Sequence, residues 1–349
     1  MRVLVTGGAG FIGSALVRHL VAVRGDDVCT VDKLTYAGNP ANLASVRGRA
    51  SHRFEALDIC DAAAMRKLVA DFAPDALMHL AAESHVDRSI EGPADFVQTN
   101  IVGTCTLLEA IREHRASGGR ECRFIHVSTD EVYGSLGAEG QFDEESPYRP
   151  NSPYSASKAA ADHLARAWCN TFNLPVIVTN CSNNYGPYQF PEKLIPVVIL
   201  RALEGERVPV YGDGLQVRDW LHVEDHVRGL VAVLDGGRAG RTYNIGGNCE
   251  KTNLEVVQSV LRAVASSRGE SADSLLGLIE FVADRPGHDR RYALDATRIT
   301  AELGWQPAVD FESGIADTVE WYAANADWCA ASRRIYDGAR LGLKEAAGS

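Results

Sequence analysis

Two adjacent carboxyl side chains near the middle of the chain are the first sign of proton chemistry. Asp130 and Glu131 come just after the apolar run 124–128, with Thr129 between the run and the pair. Ligands bind at the carboxyl ends of strands in open parallel sheets. If the surroundings push the two pKa values apart, one group acts as acid and the other as base. A solvated acidic turn is the commoner fate of such a pair, and the sequence alone leaves both interpretations open.

A tyrosine and a lysine follow at a spacing of four residues. Ser152-Pro153 is typical of a helix start, so Tyr154 and Lys158 are expected on one face of a helix over 153–172. A neighbouring ammonium group would lower the pKa of the phenol from its usual value of about 10. Such a phenol would take a proton from an alcohol while a hydride leaves for a nicotinamide.

A glycine-rich turn near the N-terminus indicates a dinucleotide cofactor. Gly7, Gly10 and Gly13 lie between a strand and a helix, where they allow a tight turn and close approach of a pyrophosphate. Asp32 ends the next strand, and a carboxylate there accepts hydrogen bonds from a ribose 2′-hydroxyl but repels a 2′-phosphate. NAD is therefore favoured over NADP. Segment 57–59 is expected to border the adenine, and segment 79–84 is expected to line the pyrophosphate and the nicotinamide.

The elements that carry these residues alternate between strand and helix. Apolar strands are predicted at 28–31, 53–57, 76–80, 123–128 and 175–179, after a first strand near 3–5, with helices at 61–72, 94–115 and 153–172. This alternation predicts an α/β fold with a doubly wound parallel sheet and a smaller C-terminal α/β substrate-binding lobe. We expect a cofactor domain over 1–180, rejoined by 223–245, a substrate lobe over 181–222 and 246–322, and a tail over 323–349.

Composition narrows the class of protein. The 349 residues carry a net charge of −11, which argues against nucleic acid as a partner. Eight cysteines are scattered without a CxxC pattern, so neither a metal site nor a redox pair is signalled. No apolar run reaches membrane-spanning length and no signal peptide is apparent, so no membrane association and a cytoplasmic location are expected.

Several segments together resemble the nucleotide-sugar dehydratases of the extended short-chain dehydrogenase/reductase family. The resemblance covers roughly residues 1–322. It rests on the following segments: Val5-Thr-Gly-Gly-Ala-Gly-Phe-Ile-Gly13, Asp32-Lys-Leu-Thr-Tyr36, Ala81-Ala-Glu-Ser-His-Val-Asp-Arg88, Val127-Ser-Thr-Asp-Glu-Val-Tyr-Gly134, Ser152-Pro-Tyr-Ser-Ala-Ser-Lys158, Thr179-Asn-Cys-Ser-Asn-Asn-Tyr-Gly-Pro187, Pro191-Glu-Lys-Leu-Ile-Pro196, Arg218-Asp-Trp220 and Arg285-Pro-Gly-His288.

The resemblance implies a lyase that converts dTDP-glucose to dTDP-4-keto-6-deoxyglucose with NAD. Tyr154, with Thr129 and Lys158, would support oxidation at C4 of the sugar. Glu131 would then remove the C5 proton, Asp130 would protonate the departing C6 hydroxyl, and the hydride would return to C6. The family also implies a homodimer formed through the helices near 94–115 and 153–172.

Binding roles are implied in the same way. Contacts with NAD would come from Gly7, Gly10, Phe11, Ile12, Gly13, Asp32, Lys33, Thr35, Tyr36, Asp58, Ile59, Ala81, Ser84, Thr99, Tyr154, Lys158 and Asn184. Contacts with the nucleotide sugar would come from Ser84, Asn183, Lys193, Leu194, Pro209, Tyr211, Arg218, Asn253, Arg285 and His288. The two arginines have a separate physical argument, because a diphosphate in an acidic protein needs local donors.

Three alternatives remain. A nucleotide-sugar 4-epimerase would share the glycine turn and the Tyr154–Lys158 spacing but would need no acid/base pair at 130–131. A dehydratase could act on a UDP- or GDP-sugar, since the base pocket cannot be identified from residue chemistry. A catalytically silent NAD-binding protein on the same fold would be expected to lack Tyr154, Lys158 or Glu131, and all three are present.

Overall fold

A seven-stranded parallel sheet forms the centre of the protein, in the strand order β10-β6-β5-β4-β1-β2-β3. The structure is a computed structural model that describes residues 1–284 and 288–336. The strands in chain order are β1 (Arg2–Thr6), β2 (Asp27–Val31), β3 (His52–Glu55), β4 (Ala76–His79), β5 (Arg123–Thr129), β6 (Val176–Cys181), β7 (Asn183–Tyr185), β8 (Val208–Tyr211), β9 (Val217–His222), β10 (Thr242–Ile245), β11 (Glu250–Thr252) and β12 (Ile279–Val282).

Helices cover both faces of this sheet and build most of the second lobe. In chain order they are α1 (Phe11–His19), α2 (Ala62–Phe72), α3 (Val86–Glu91), α4 (Pro93–Phe96), α5 (Thr104–Ala116), α6 (Pro153–Phe172), α7 (Leu194–Glu204), α8 (Val223–Gly236), α9 (Asn253–Arg268), α10 (Ala272–Leu276), α11 (Thr297–Leu303), α12 (Phe311–Ala324) and α13 (Ala326–Arg333). The predicted doubly wound parallel sheet is confirmed.

The central strands are apolar on both faces because helices cover both sides. Val3, Leu4 and Val5 of β1 are fully buried, and they belong to core clusters on opposite faces of the sheet. The strand order reverses between β1 and β4, and a crevice at the carboxyl ends of the strands is expected at that point. That is where the glycine turn after β1 and the Thr129–Glu131 segment after β5 come together.

The C-terminal lobe has its own small sheets and its own core. Strands β7, β9 and β11 form one sheet, while β8 and β12 pair in parallel. A separate apolar cluster joins α7, α9 and α12. Strand β10 pairs with β6 at the edge of the central sheet, so the chain returns to the first lobe after β9. The domain boundaries drawn from the sequence stay a prediction.

Element boundaries differ from the predictions mainly in one long helix. The segment predicted as a single helix over 94–115 consists of α4, a wider π-helical segment Val97–Gly103, and α5. At Gly103 a Cβ atom would lie only 2.4 Å from Ile59 Cδ1, so the segment passes very close to its neighbour. The Asp130-Glu131 pair, predicted as a turn, lies in a short 3-10 helix, Asp130–Tyr133.

In the part of the chain that the structure describes, no helix is both long and apolar enough to cross a membrane. Over residues 1–284 and 288–336, His, Cys, Asp and Glu side chains form no group of three or more that could hold a metal ion.

Candidate active site

A cavity of about 300 Å³ lies at the carboxyl edge of the central sheet. It brings together residues that the sequence separates by up to 186 positions, from Gly7 to Lys193. The following predicted site residues line it: Gly7, Gly10, Phe11, Ile12, Gly13, Asp32, Lys33, Thr35, Ile59, Ala81, Ser84, Thr99, Thr129, Asp130, Glu131, Tyr154, Lys158, Asn183, Asn184 and Lys193.

The glycine turn after β1 is packed too closely for any side chain. Gly7 has a φ of +70°, and a Cβ atom added to Gly13 would lie 2.1 Å from the carbonyl oxygen of Gly7. Backbone atoms at the start of α1 are therefore accessible from the cavity. Helix N-termini of this kind bind phosphate groups through free N–H groups and the helix dipole, so the turn fits a dinucleotide.

Asp32 connects this turn to the loop after β2. One carboxylate oxygen accepts a hydrogen bond from the backbone N–H of Ala9 (3.0 Å), and the other accepts one from Leu34 (2.8 Å). Burial raises the pKa of Asp32, against the effect of these two hydrogen bonds. On the adjacent wall, Lys33 Nζ lies 3.6 Å from Asp58 Oδ2 and 3.3 Å from Thr99 Oγ1.

The two carboxyl groups after β5 occupy different environments. Asp130 is 2% exposed, and burial, then the neighbouring Glu131 and Asp219, raises its pKa well above the usual range. Its Oδ2 atom is buried without a hydrogen-bond partner among the described residues. Glu131 is only half-buried. Asp130 is therefore suited to hold a proton at neutral pH, as an acid must.

The structure contradicts the expected pKa of the catalytic phenol. Burial, and next the charge of Glu131, raises the pKa of Tyr154 well above 10, although a hydrogen bond with Thr129 acts in the opposite direction. Lys158 Nζ donates to the carbonyl oxygen of Val127 (2.8 Å). Burial lowers the pKa of Lys158 itself. The spacing of four residues placed both side chains in the cavity but did not determine their protonation.

Two predicted cofactor residues lie beside the cavity. The ring of Tyr36 stacks under the guanidinium of Arg88, at 3.9 Å, and Asp58 caps the backbone N–H of Cys60 (2.9 Å). Neither residue is part of the cavity wall that the structure describes.

Most residues predicted to contact the sugar nucleotide belong to the second lobe, outside the cavity wall. These are Leu194, Pro209, Tyr211, Arg218, Asn253 and His288, while Arg285 is outside the described residues. Arg218 is buried, donates to the backbone oxygens of Val217 and Asp289, and lies 4.4 Å from the ring of Tyr292. Its charge still acts to lower the pKa of Asp130, so this part of the lobe adjoins the carboxyl pair.

Sequence reasoning missed several residues of the cavity wall. Cys181, Gln189, Phe190 and Glu192 line it without having been assigned a role, whereas Glu83 belongs to segment 79–84, which was expected there. Glu192 Oε2 accepts from Arg88 Nε at 3.0 Å, and this ion pair fixes the loop before α7. Arg88 and Glu192 both lie inside segments that carry the family resemblance, so the resemblance was the signal that could have identified them. Their burial became visible only in the fold.

A glycine turn, a buried acid, and a Tyr–Lys pair on one helix define a Rossmann-type protein equipped for redox and proton transfer. A sequence model described as GDP-mannose 4,6 dehydratase matches residues 4–318. The chain belongs to this family, and the expected resemblance to nucleotide-sugar dehydratases is confirmed.

Individual relatives agree with this assignment. The dTDP-glucose 4,6-dehydratase of Shigella flexneri is 57% identical over 341 residues, which cover 94% of each chain. A solved dTDP-glucose 4,6-dehydratase from Streptomyces venezuelae, with NAD bound, is 49% identical, with a TM-score of 0.87 over 95% of this chain and 100% of that chain. The UDP-glucose 4-epimerase of Thermus thermophilus, also solved with NAD, is 32% identical, with a TM-score of 0.81 over 93% and 100%.

Proposed function

We propose that the protein catalyses the NAD-dependent dehydration of dTDP-glucose to dTDP-4-keto-6-deoxyglucose. The observation that carries the proposal is the buried Asp130, whose pKa is raised by burial, beside Glu131 in one cavity with Tyr154 and the glycine turn. Relatives named for this activity, at 52–57% identity over most of their length, support the choice of substrate.

The glycine turn fits NAD because Gly13, which has no room for a Cβ atom beside the carbonyl oxygen of Gly7, lets α1 begin close to β1 with its N-terminus available to a pyrophosphate. Lys33, Thr99 and Asp32 would bind the adenosine half, and Tyr154 and Lys158 would face the nicotinamide half. When bound, NAD supplies a hydride acceptor, later the hydride donor, and a positive charge that favours the phenolate of Tyr154.

The residues of the chain would move three protons. Tyr154, hydrogen-bonded to Thr129, would accept the proton of the C4 hydroxyl as the C4 hydride leaves. The resulting ketone acidifies the C5 proton, which Glu131 would remove. Asp130 would give its proton to the C6 hydroxyl, so that water departs. Glu131 would give its proton back to C5 as the hydride returns to C6, which completes the keto-sugar, and Lys158 would stay a cation throughout.

The second lobe would hold the nucleotide. Ser84, Asn183 and Lys193 lie in the cavity wall, and Lys193 Nζ donates to the carbonyl oxygen of Ser84 (2.9 Å), which closes the wall between the lobes. The diphosphate and the base would be bound from the adjoining lobe by Arg218 together with Leu194, Pro209, Tyr211, Asn253 and His288.

We further infer that the protein is a cytoplasmic homodimer. The side chains of Val97, Val102 and Phe172 are 50, 41 and 42% exposed, on the π-helical segment before α5 and at the end of α6. The helices α5 and α6 pack together, with Trp168 Nε1 donating to Glu109 Oε1 (2.6 Å). An apolar surface on two adjacent helices is suited to pair with its own copy.

A panel of dTDP-, UDP- and GDP-glucose tests the proposal. Loss of one water from dTDP-glucose, detected by mass spectrometry without net NADH formation, is the expected result. A C4-epimer without loss of water would instead support a 4-epimerase, whose fold is shared. No reaction with any of the three sugars would return the protein to the class of silent NAD-binding proteins.

A further inference from the structure

A buried polar cluster lies behind Lys158, on the side away from the glycine turn. Asp162 follows Lys158 by one helical turn on α6 and is fully buried. Its Oδ1 lies 3.0 Å from His126 Nε2, and its Oδ2 accepts a hydrogen bond from the hydroxyl of Tyr148 (2.8 Å). None of these three residues has a role in the proton transfers described above.

Neutral side chains face Lys158 from β4, β5 and β6. Burial lowers the pKa of both His79 and His126, so the two imidazoles facing Lys158 from β4 and β5 are neutral. Cys181 faces Lys158 from β6, and burial raises the pKa of its thiol. On α6 itself, Tyr154 precedes Lys158 by one turn, and its phenol also has a raised pKa.

Asp162 is therefore the ionised carboxylate whose charge acts most strongly on Lys158. Burial acts to raise its pKa, but contacts with His126 and the charge of Lys158 bring it below the ordinary value. Arg166 donates to the Tyr148 hydroxyl and to Thr242 Oγ1 (3.2 Å). Its link to Asp162 therefore runs through the Tyr148 hydroxyl. Asp130 and Glu131 act on Tyr154 and Cys181 rather than on Asp162.

The cluster also fixes the end of β5. Asn180 donates to the carbonyl oxygen of Thr129 (3.1 Å) and to the Tyr148 hydroxyl (3.3 Å). Asp162, through Tyr148, is thereby connected to the strand that presents the carboxyl pair. A single buried anion therefore lies one helical turn from Lys158 and is linked to the end of β5 through Tyr148 and Asn180.

Building on the function proposed above, we propose that Asp162 is a positioning residue of the reaction. Its carboxylate keeps Lys158 charged inside the protein and, with Tyr148 and Asn180, holds the end of β5 against α6. A purely structural carboxylate would stabilise the fold but leave the ionisation of Lys158 unchanged, and this difference can be measured.

The first test is the pH profile of single-turnover NADH formation in Asp162→Asn. Removing the anion makes the ammonium of Lys158 less stable, so Lys158 loses its proton at lower pH. We expect the alkaline limb to move to lower pH by about one to three units, the usual effect of one nearby charge. A profile that overlays that of the wild type would overturn the proposal.

Asp225→Asn is the matched control. Asp225 is also buried, and its Oδ2 accepts from the backbone N–H groups of Ala308 and Val309 at 2.9 Å, but it lies in α8 outside the cavity wall. This variant should lose stability while keeping the wild-type pH profile. A shift of the same size in the control would also overturn the proposal, because the shift would then reflect general loosening.

A double-mutant cycle on stability does not depend on enzymatic activity. It therefore tests the proposal even if Asp162→Asn folds poorly. Urea midpoints are compared for Asp162→Asn, Lys158→Met and the double variant. If the two charges compensate each other, the double variant should unfold at higher urea than Asp162→Asn alone. Simple addition of the two losses would overturn the proposal. Failure of the proposed function is separate, since the wild type itself would then form no keto-sugar.

Discussion

At the scale of residues, two neighbouring carboxyl groups differ because the fold buries one more than the other. Asp130 is 2% exposed, and its Oδ2 has no hydrogen-bond partner within residues 1–284 and 288–336, whereas Glu131 is half-buried at the cavity wall. Adjacent residues in a 3-10 turn diverge, so the two groups can reach different atoms of one sugar. We infer that this difference in burial lets one group act as acid and the other as base.

Glu131→Gln should separate oxidation from elimination. The amide cannot accept the C5 proton, so NADH should accumulate in a single turnover while keto-sugar formation falls by about 10²–10⁴, the usual contribution of a general base. Absorbance of NADH and mass spectrometry of the sugar measure the two steps. Tyr154→Phe is the contrasting variant, since it should slow NADH formation itself. Product formation by Glu131→Gln at the wild-type rate would remove Glu131 from its role.

Asp130→Asn should alter the pH dependence of stability as well as activity. The pKa of Asp130 is raised in the folded state. The contribution of its protonated carboxyl group to the free energy of unfolding is therefore fully present below the unfolded pKa of about 3.9, and it is lost as the pH rises through the folded pKa. Asparagine does not titrate. Relative to the wild type, the variant should therefore gain on the order of 1 kcal/mol between pH 4 and pH 8.

Urea unfolding at these two pH values, with dehydration assayed in parallel, measures this trade-off. The variant should catalyse elimination more slowly than the wild type, although its stability relative to the wild type should be higher at pH 8 than at pH 4. A constant stability difference across the pH range would show that Asp130 is ionised in the folded enzyme.

At the scale of elements, helix α6 carries two of the five predicted catalytic residues in the cavity wall, Tyr154 and Lys158. Tyr154, Lys158 and Asp162 follow one another at intervals of four along its buried face. A capping box begins the helix: Ser152 Oγ accepts from the N–H of Ser155 (3.1 Å), and Ser155 Oγ accepts from the N–H of Ser152 (3.0 Å). The cap lies two residues before Tyr154, so the helix start sets the position of the phenol.

Ser152→Ala should cost about 1 kcal/mol of unfolding free energy, the usual value of an N-cap hydroxyl. It should also slow the first hydride transfer, because Tyr154 lies in the first turn. Ser271→Ala is the control, since Ser271 precedes α10 without any side-chain cap bond. Urea unfolding and single-turnover NADH formation measure both effects. Equal losses in the two variants would contradict a specific role for the capping box.

At the scale of the whole molecule, the C-terminal helix α13 links the two lobes. Trp328 on α13 donates through Nε1 to Asn42 Oδ1 (2.8 Å), so the end of the described chain contacts the cofactor lobe. Trp328 also packs edge-on against Trp321 of α12. The last helices thus connect the core of the second lobe to the domain that would bind NAD.

Paired charges on the exposed helical surface should separate the proposed dimer. Val97→Asp with Val102→Asp would place two carboxylates against their counterparts across a two-fold axis, and we expect a monomer in sedimentation experiments at micromolar concentration. Val23→Asp is the matched control, because Val23 is 72% exposed at the end of the segment after α1. A wild-type monomer, or a double variant that sediments as the wild type does, would contradict the proposed interface.

Local spacing explains why part of the site could be predicted from the sequence alone. The glycines of the turn, the cap at Ser152 and the interval between Tyr154 and Lys158 act within one or two turns of chain, so their geometry is set by the covalent backbone. The alternation of apolar strands and helices similarly determined the parallel sheet. The widened segment Val97–Gly103 escaped prediction, because a π-helical turn has the same apolar pattern as an α-helix.

Protonation and long-range contacts were decided by the tertiary structure. The raised pKa of Tyr154, the proton held by Asp130 and the position of Arg218 all depend on burial by segments far apart in the chain. The contact of Asp162 with His126 joins a helix to a strand 36 residues earlier. Desolvation depends on everything packed around a group, so no local motif reports it. The sequence by itself determined which reactive groups are present, and the packing of the two lobes decided which of them hold a proton.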